Sequence, residues 1–291
     1  MTRAPHGADV AVAAQLACLL EASAPKPGNV SPGADFHDAR YEDFLASAAA
    51  IGPALAAAAE RPLGATIRAA VEATARWAPS NTNLGLVLLL APLARAALQP
   101  GERPLGARLA ATLAATTVAD AREAYTAIRL AAPGGLGQAP QQDVAGTPTV
   151  PLRDAMALAQ DRDAIAREYA TEFRTTFELG VPTLARARAA GLPWRDATVE
   201  TFLTLLAAVP DTHIARKLGW EAAVAVSRGA RAVLDAGGTR SPAGRQAVAA
   251  LDRELRDERH TRNPGATADL TGAAIFVALL EGRWRGEGKH A

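Results

Sequence analysis

The apolar content of this chain is carried largely by alanine, and that restricts the fold more than any other feature. Hydrophobic residues make up 49% of the 291 positions, yet aromatics reach only 4%. Alanine has the highest helix propensity and a small side chain, so it favours closely packed helices over thick sheet sandwiches. The β-branched and aromatic runs that strands need are nearly absent. The class expected is all-α. No internal repeat, sustained heptad or shift in composition divides the chain. The expectation is a compact single-domain multi-helix bundle over residues 1–291, with 1–8 and 284–291 as flexible tails.

Apolar spacing predicts helices over 10–22, 41–59, 63–76, 84–98, 104–118, 119–131, 152–160, 162–179, 182–190, 196–208, 212–236, 242–259 and 266–281. Between the first two, prolines 25, 27 and 32 with glycines 28 and 33 forbid a helix. One long irregular loop, about 132–150, contains Pro133-Gly134-Gly135-Leu136-Gly137 and reads as a lid or substrate loop.

Thirty-one basic residues against thirty acidic give a net charge of +1. No Lys/Arg run rises above that background, so a nucleic-acid partner is not expected. Cys18 is the only cysteine, which excludes an intramolecular disulfide and reads as a buried small apolar group. The start of the chain lacks the pattern of a signal peptide. The longest apolar stretch, Leu84–Leu98, is interrupted by Gly85, Pro92 and Arg95 and is too short to cross a bilayer. A soluble cytoplasmic protein with no membrane partner is the expectation, its oligomeric state left open. Phosphate-binding P-loop, GxGxxG, HExxH, paired-cysteine and serine-elbow patterns are all missing.

Four polar, proline- and glycine-rich corners stand where helices begin. They are Glu21 with Pro25-Lys26-Pro27-Gly28-Asn29-Val30 and Gly33-Ala34-Asp35; Pro79-Ser80-Asn81-Thr82-Asn83-Leu84-Gly85; Pro210-Asp211-Thr212-His213 with Arg216 and Lys217; and Arg262-Asn263-Pro264-Gly265-Ala266-Thr267-Ala268-Asp269. Helix N-termini present unpaired N–H groups and partial positive charge, which suits phosphate. With Lys26, Arg216 and Lys217 nearby, such corners could hold a polyphosphate. Asp35, Asp211 and Asp269 could then share Mg²⁺ with it, and an Asp could accept a proton from an attacking hydroxyl. The plainer alternative is that Asp211, Asn263 and Ser80 are helix caps and that Asn81 and Asn83 form turns. Lys26, mounted between two prolines, has no evident structural job, and His213 suits a ligand contact or the surface equally well.

The PKPGNV run within Glu21–Asp35 resembles a motif of the triphosphoribosyl-dephospho-CoA synthase family. Asn81-Thr82-Asn83-Leu84-Gly85, Asp211-Thr212-His213 with Arg216, and Asn263 through Leu270 are similar to further motifs of that family, in its order, spanning about residues 10 to 282. Arg162 through Tyr169 resembles its archaeal-type branch, as do two departures: Gly33-Ala34-Asp35 replaces a Gly-Ala-His, and NPGATADLT replaces a last motif like SPGGSADLL. The resemblance implies an all-helical pentosyltransferase. A hydroxyl of dephospho-CoA would attack the ribose anomeric carbon of ATP, and adenine would leave. A phosphoribosyl pyrophosphate donor, a ribitol hydroxyl acceptor in methanopterin-type cofactor assembly, or Mg²⁺-dependent hydrolysis of a nucleotide or ADP-ribose are the alternatives. A non-catalytic nucleotide-binding helical module is the remaining one. By matching position, Glu21, Lys26, Asn29 and Asp35 would form the first nucleotide-binding motif, and Asn81 and Asn83 would contact ribose or phosphate. Asp211, His213, Arg216 and Lys217 would stand near metal and phosphates, and Asn263 and Asp269 would complete the site. Asp211, Asp35 and Glu21 are the catalytic candidates; Asp35, Asp211 and Asp269 are the Mg²⁺ candidates. Asp211→Asn and Lys26→Ala are then expected to cut turnover and leave the fold intact.

Overall fold

The computed structural model describes residues 5–284, so of the tails expected at 1–8 and 284–291 residues 1–4 and 285–291 lie outside the described residues, while Gly7 and Ala8 already stand in the first helix. The all-α expectation holds: among the described residues there are helices and loops and no strand beyond one isolated bridge, Ser31 to Ala34. The helices are α1 (Gly7–Ser23), α2 (Tyr41–Ala50), α3 (Gly52–Ala56), α4 (Leu63–Ala75), α5 (Leu84–Leu98), α6 (Leu105–Ala114), α7 (Val118–Ala131), α8 (Leu152–Ala157) and α9 (Ala164–Ala170). They continue with α10 (Val181–Ala189), α11 (Trp194–Ala208), α12 (Thr212–Leu218), α13 (Trp220–Asp235), α14 (Pro242–Leu255) and α15 (Gly265–Leu280). Where the sequence shows no composition boundary, contacts divide the chain into two compact units, residues 1–18 with 42–174 and residues 19–41 with 175–291.

In the first unit α5 is apolar almost all the way round, the pattern of a helix buried on every side. It packs against α3, α4, α6 and α9, and α4 packs along α7. Pro92 inside α5 has no N–H to offer the Leu88 carbonyl one turn back. The hydroxyl of Tyr169 on α9 donates to that carbonyl instead, at 2.6 Å, and burial pushes the phenol far above its ordinary value. The α4–α7 approach depends on Gly64, where an added Cβ would fall 2.4 Å from the Asp120 carbonyl oxygen. Asp120 also closes a capping box with Thr117 and accepts the Gly64 N–H at 2.8 Å, which ends the expected 104–118 helix early. The 132–150 loop is irregular as expected. Asp143 accepts the N–H groups of Ala139 and Ala145, and Gln142 and Thr149 bond each other twice.

In the second unit α11 and α15 form the centre. Val199, Phe202, Leu203 and Leu206 of α11 meet Ile214, Val226, Val233, Leu251 and Leu255 in one apolar cluster, joined by Ala24 and Ala268. Three helices expected to be continuous are broken, the first of them over 41–59, which divides at Ile51 into α2 and α3. The 212–236 prediction splits at Gly219, whose φ of 88° leaves the helical region. The 162–179 prediction stops at Ala170, because Glu172 and Phe173 adopt positive φ, and resumes as a π-helix over Thr175–Gly180.

Candidate functional site

The first polar corner is a sealed helix end. Pro25 and Pro27 stop α1 and turn the chain back, so that Lys26 lies under the last turn with 1% of its surface exposed. Its ammonium donates to the Glu21 carbonyl and to the Ala24 carbonyl (3.3 Å), and pairs with Glu21 Oε1 at 2.9 Å. An ammonium has three donors, and all three are used. Two of the acceptors are carbonyls at the end of α1, each of which also accepts a backbone N–H, so the ammonium adds a second bond and a positive charge at the helix C-terminus. That is the structural job the sequence does not reveal. Beyond it, Gly28 has φ 73° and donates its N–H to Asp252 Oδ1 at 2.8 Å. A Cβ there would stand 2.8 Å from that of Leu255, so only glycine fits. Asn29 turns inward: its amide nitrogen donates to the Pro27 carbonyl, and its own carbonyl accepts from Arg256, which also pairs with Asp252. Asp35 is exposed and accepts the Tyr41 N–H at the start of α2, 2.8 Å away.

The third and fourth corners meet through one carboxylate. Asp211, 1% exposed, accepts the His213 and Ile214 N–H groups on Oδ1 (2.8 and 3.1 Å) and the Thr267 N–H and hydroxyl on Oδ2 (both 2.7 Å). One side chain thereby caps α12 and reaches across to the first turn of α15. Burial pushes its carboxyl above the ordinary value, and the four accepted bonds pull the other way. A carboxylate has about four lone-pair directions, so none remains for another ligand.

Against this clasp stands His213. Burial, then Lys217 and Arg216, push its imidazole down to about 3, so it is neutral near pH 7. Its Nε2 is buried without a hydrogen-bond partner, and so is Asn263 Oδ1. Gly265 lets the two segments close: a Cβ there would lie 3.1 Å from His213 Nδ1. Lys217 is exposed; burial of its stem pushes the ammonium down, while Asp38, Asp257 and Asp211 draw it up. The 36–38 segment joins the same neighbourhood, with Phe36 stacked on His260 at 3.8 Å and His37 at 5.4 Å. Sequence reasoning missed Phe36, His260 and the role of Thr267; the last was visible only as a hydroxyl in the first turn of a helix.

The second corner lies in the first unit. Asn81 Oδ1 accepts the Leu84 N–H at 3.0 Å, so Asn81 is a cap of α5. Asn83, at the N-cap position, makes no cap bond; its Oδ1 accepts from Thr74, and its Nδ2 has no partner. Asp269 is half-buried on α15, and Arg216 half-buried on α12. Among the described residues no three His, Cys, Asp or Glu side chains converge as a metal site. With Asp211 saturated, the donors present do not fit a dedicated three-carboxylate Mg²⁺ centre.

Comparison with known proteins then adds its own findings. In Stutzerimonas stutzeri a relative named probable 2-(5''-triphosphoribosyl)-3'-dephosphocoenzyme-A synthase is 37% identical over 116 residues, 40% of this chain and 39% of that protein. A Pseudomonas fluorescens protein of the same name is 35% identical over 133 residues, 45% of each chain. The match thus spans less than half the length of these curated relatives. A crystal structure from Archaeoglobus fulgidus, described as a candidate triphosphoribosyl-dephospho-CoA synthase, superposes with a TM-score of 0.64 at 29% identity, covering 83% of this chain and 100% of that one. The family described as ATP:dephospho-CoA triphosphoribosyl transferase matches from residue 7 to residue 288, and the chain belongs to that family.

Proposed function

We propose that this chain transfers the triphosphoribosyl group of ATP to a hydroxyl of dephospho-CoA and releases adenine. The acceptor oxygen bonds to the ribose C1′, the C1′–N9 bond breaks with its electron pair on the base, and the hydroxyl proton passes through a general base to the departing adenine. Beside the family match, the observation that carries this reading is the corner where Asp211 ties α12 to α15. It sets a neutral imidazole and the Asn263 amide oxygen, both without partners, beside the cations of α12. Buried polar atoms left open in this way are suited to a polar ligand.

The roles follow from the chemistry of each side chain and its place at the corner. Asp211 positions the corner and takes no part in bond making. Asp35, exposed and holding one N–H, is the general base. His213 and Asn263 orient the ribose, Arg216 and Lys217 meet the phosphates, and the Glu21–Lys26 pair holds the Asn29 turn. Mg²⁺ enters on the triphosphate as part of the substrate, with Asp35 and Asp269 as the carboxylates that face it. This is the way that ion is commonly held.

The test is to incubate the protein with ATP or phosphoribosyl pyrophosphate, with and without dephospho-CoA, and to read products by mass spectrometry. The expected product is dephospho-CoA carrying a triphosphoribosyl group, formed with one adenine. Adenine and ribose 5-triphosphate formed from ATP equally well without an acceptor would replace transfer with hydrolysis. Product formed only from phosphoribosyl pyrophosphate would overturn the donor.

A further inference from the structure

A cavity of about 570 Å³ lies wholly within the second unit, away from the Asp211 corner. The end of α10 (Leu184, Ala185, Ala189), the first residue of α11 (Trp194) and the last turn of α15 (Ala278) supply its apolar walls. Thr267 of the corner and Ala278 of the cavity stand at opposite ends of α15, separated by about 16 Å of helix rise. Gly282, at φ 76°, then turns the chain back, and the Arg283 N–H returns to the Ala278 carbonyl at 3.0 Å. That turn keeps Glu281 and Arg283 in the cavity wall.

The charges in this wall do not cancel. It holds three guanidinium groups, those of Arg186, Arg188 and Arg283, and one carboxylate, Glu281, which pairs with Arg283 at 2.9 Å. Among the described residues neither Arg186 nor Arg188 meets a carboxylate. Arg186 spends one nitrogen on the Thr183 hydroxyl (3.0 Å), and Arg188 spends one on the Leu192 carbonyl (2.6 Å). Arg188 is held a second way, with its guanidinium 4.8 Å over the Trp194 ring. Trp194 in turn stacks on Trp284 at 5.5 Å and donates its Nε1 hydrogen to the Trp284 carbonyl at 3.4 Å. The one polar group of the indole is thus used, and its ring serves as apolar wall.

These properties define what the cavity takes. A guanidinium carries five N–H donors and stays charged throughout the physiological range. Two of them beside an apolar surface, without a counter-ion, suit an oxyanion. The volume falls in the ~300–1,000 Å³ range of sites that enclose a small organic molecule, more space than a lone inorganic anion fills. We propose that this cavity is a second binding site, for an organic oxyanion whose carboxylate or phosphate is joined to a flat or apolar body. Arg186 and Arg188 hold the oxyanion, and Trp194, Leu184 and Ala278 pack against the body. The proposal stands on this cavity alone and does not require the transferase reading.

Calorimetric titration of the full chain with β-naphthoate and β-naphthyl phosphate tests it, with β-naphthol as the neutral ring and acetate as the bare anion. Saturable binding at one site per chain is expected for the two naphthyl anions, the tighter of them identifying the oxyanion. Both controls are expected to bind at least about tenfold more weakly. Arg186→Gln removes an exposed cation whose one bond is to Thr183, and should weaken the anions by about tenfold while leaving β-naphthol unchanged. Ala189→Trp, at an exposed wall position, fills the space and abolishes binding of every ring compound. The proposal is overturned if wild type shows no saturable binding, if β-naphthol binds as tightly as the anions, or if anion affinity is unchanged in either variant. Binding that appears only after residues 285–291 are deleted also overturns it, because the occupant would then be the chain's own end. Should Ala189→Trp fail to fold, the Arg186→Gln titration decides alone.

Discussion

The Asp211 corner and the Asn83 turn are both polar, buried and built at helix starts, but they differ in one respect. Every lone pair of Asp211 is used, whereas the Asn83 amide nitrogen has nothing to bond. Lys26 belongs with the first kind and His213 with the second. The difference separates residues that hold the protein in shape from residues that have capacity left for a ligand. Charge and motif membership do not make that separation. Asp211 and Lys26 look the most chemical in the sequence and are the most occupied in the structure.

The comparison can be broken by substitution. Asp211→Ala leaves four donors unpaired, one of them a hydroxyl, and is expected to cost about 3–5 kcal/mol in denaturant unfolding. A cost below ~1 kcal/mol would mean that the clasp contributes nothing. Lys26→Met strands the Glu21 carboxylate in a buried site and is expected to cost about 3 kcal/mol, with Glu21→Gln added to it recovering part of the loss. If the double variant is no better than the single one, the pair is not coupled. For both positions the geometry replaces the expectation of an intact fold with a stability effect.

A smaller effect comes from His213. In the unfolded chain its imidazole takes up a proton near pH 6.5, and in the folded chain only near 3. Unfolding is therefore coupled to proton uptake, and stability falls as pH drops through that window. Between pH 7 and pH 5 the loss attributable to this group is roughly 1–2 kcal/mol. His213→Gln should flatten that part of the pH–stability curve; an unchanged curve would place the imidazole in water. The smallest effect on stability is expected at the open turn. Asn83→Ala removes one bond to Thr74 and should cost no more than about 1 kcal/mol. A loss comparable to Asp211→Ala would erase the distinction between the two regions.

Much of the fold was legible because alanine-rich, strand-poor sequence leaves helices as the only economical way to bury apolar surface. The breaks were not. Gly219 sits in an unbroken apolar pattern, and the positive φ of Phe173 follows from tertiary packing that no local signal carries. The long loop was visible from its prolines and glycines. At the site, the sequence identified the four corners but not the groups to which their members bond. Lys26 seemed to lack a structural purpose because its acceptors are backbone carbonyls, which have no letter in a sequence. Asn81 and Asn83 have the same side chain two positions apart, and only the position of Thr74 makes one a cap and the other a partner with spare capacity. Asp211 was recognisable as a cap of its own helix; that it also holds Thr267, 56 residues away, required coordinates.

The central claim is that Asp211 works through Thr267 and not through a metal or a substrate atom. A double-mutant cycle on folding stability, with Asp211→Ala, Thr267→Ala and the pair together, measures it without ligand. A charge-assisted hydroxyl bond at 2.7 Å should give a coupling of about 2 kcal/mol. Additive losses, agreeing within ~0.5 kcal/mol, would show that the two side chains do not act on each other and would contradict the account.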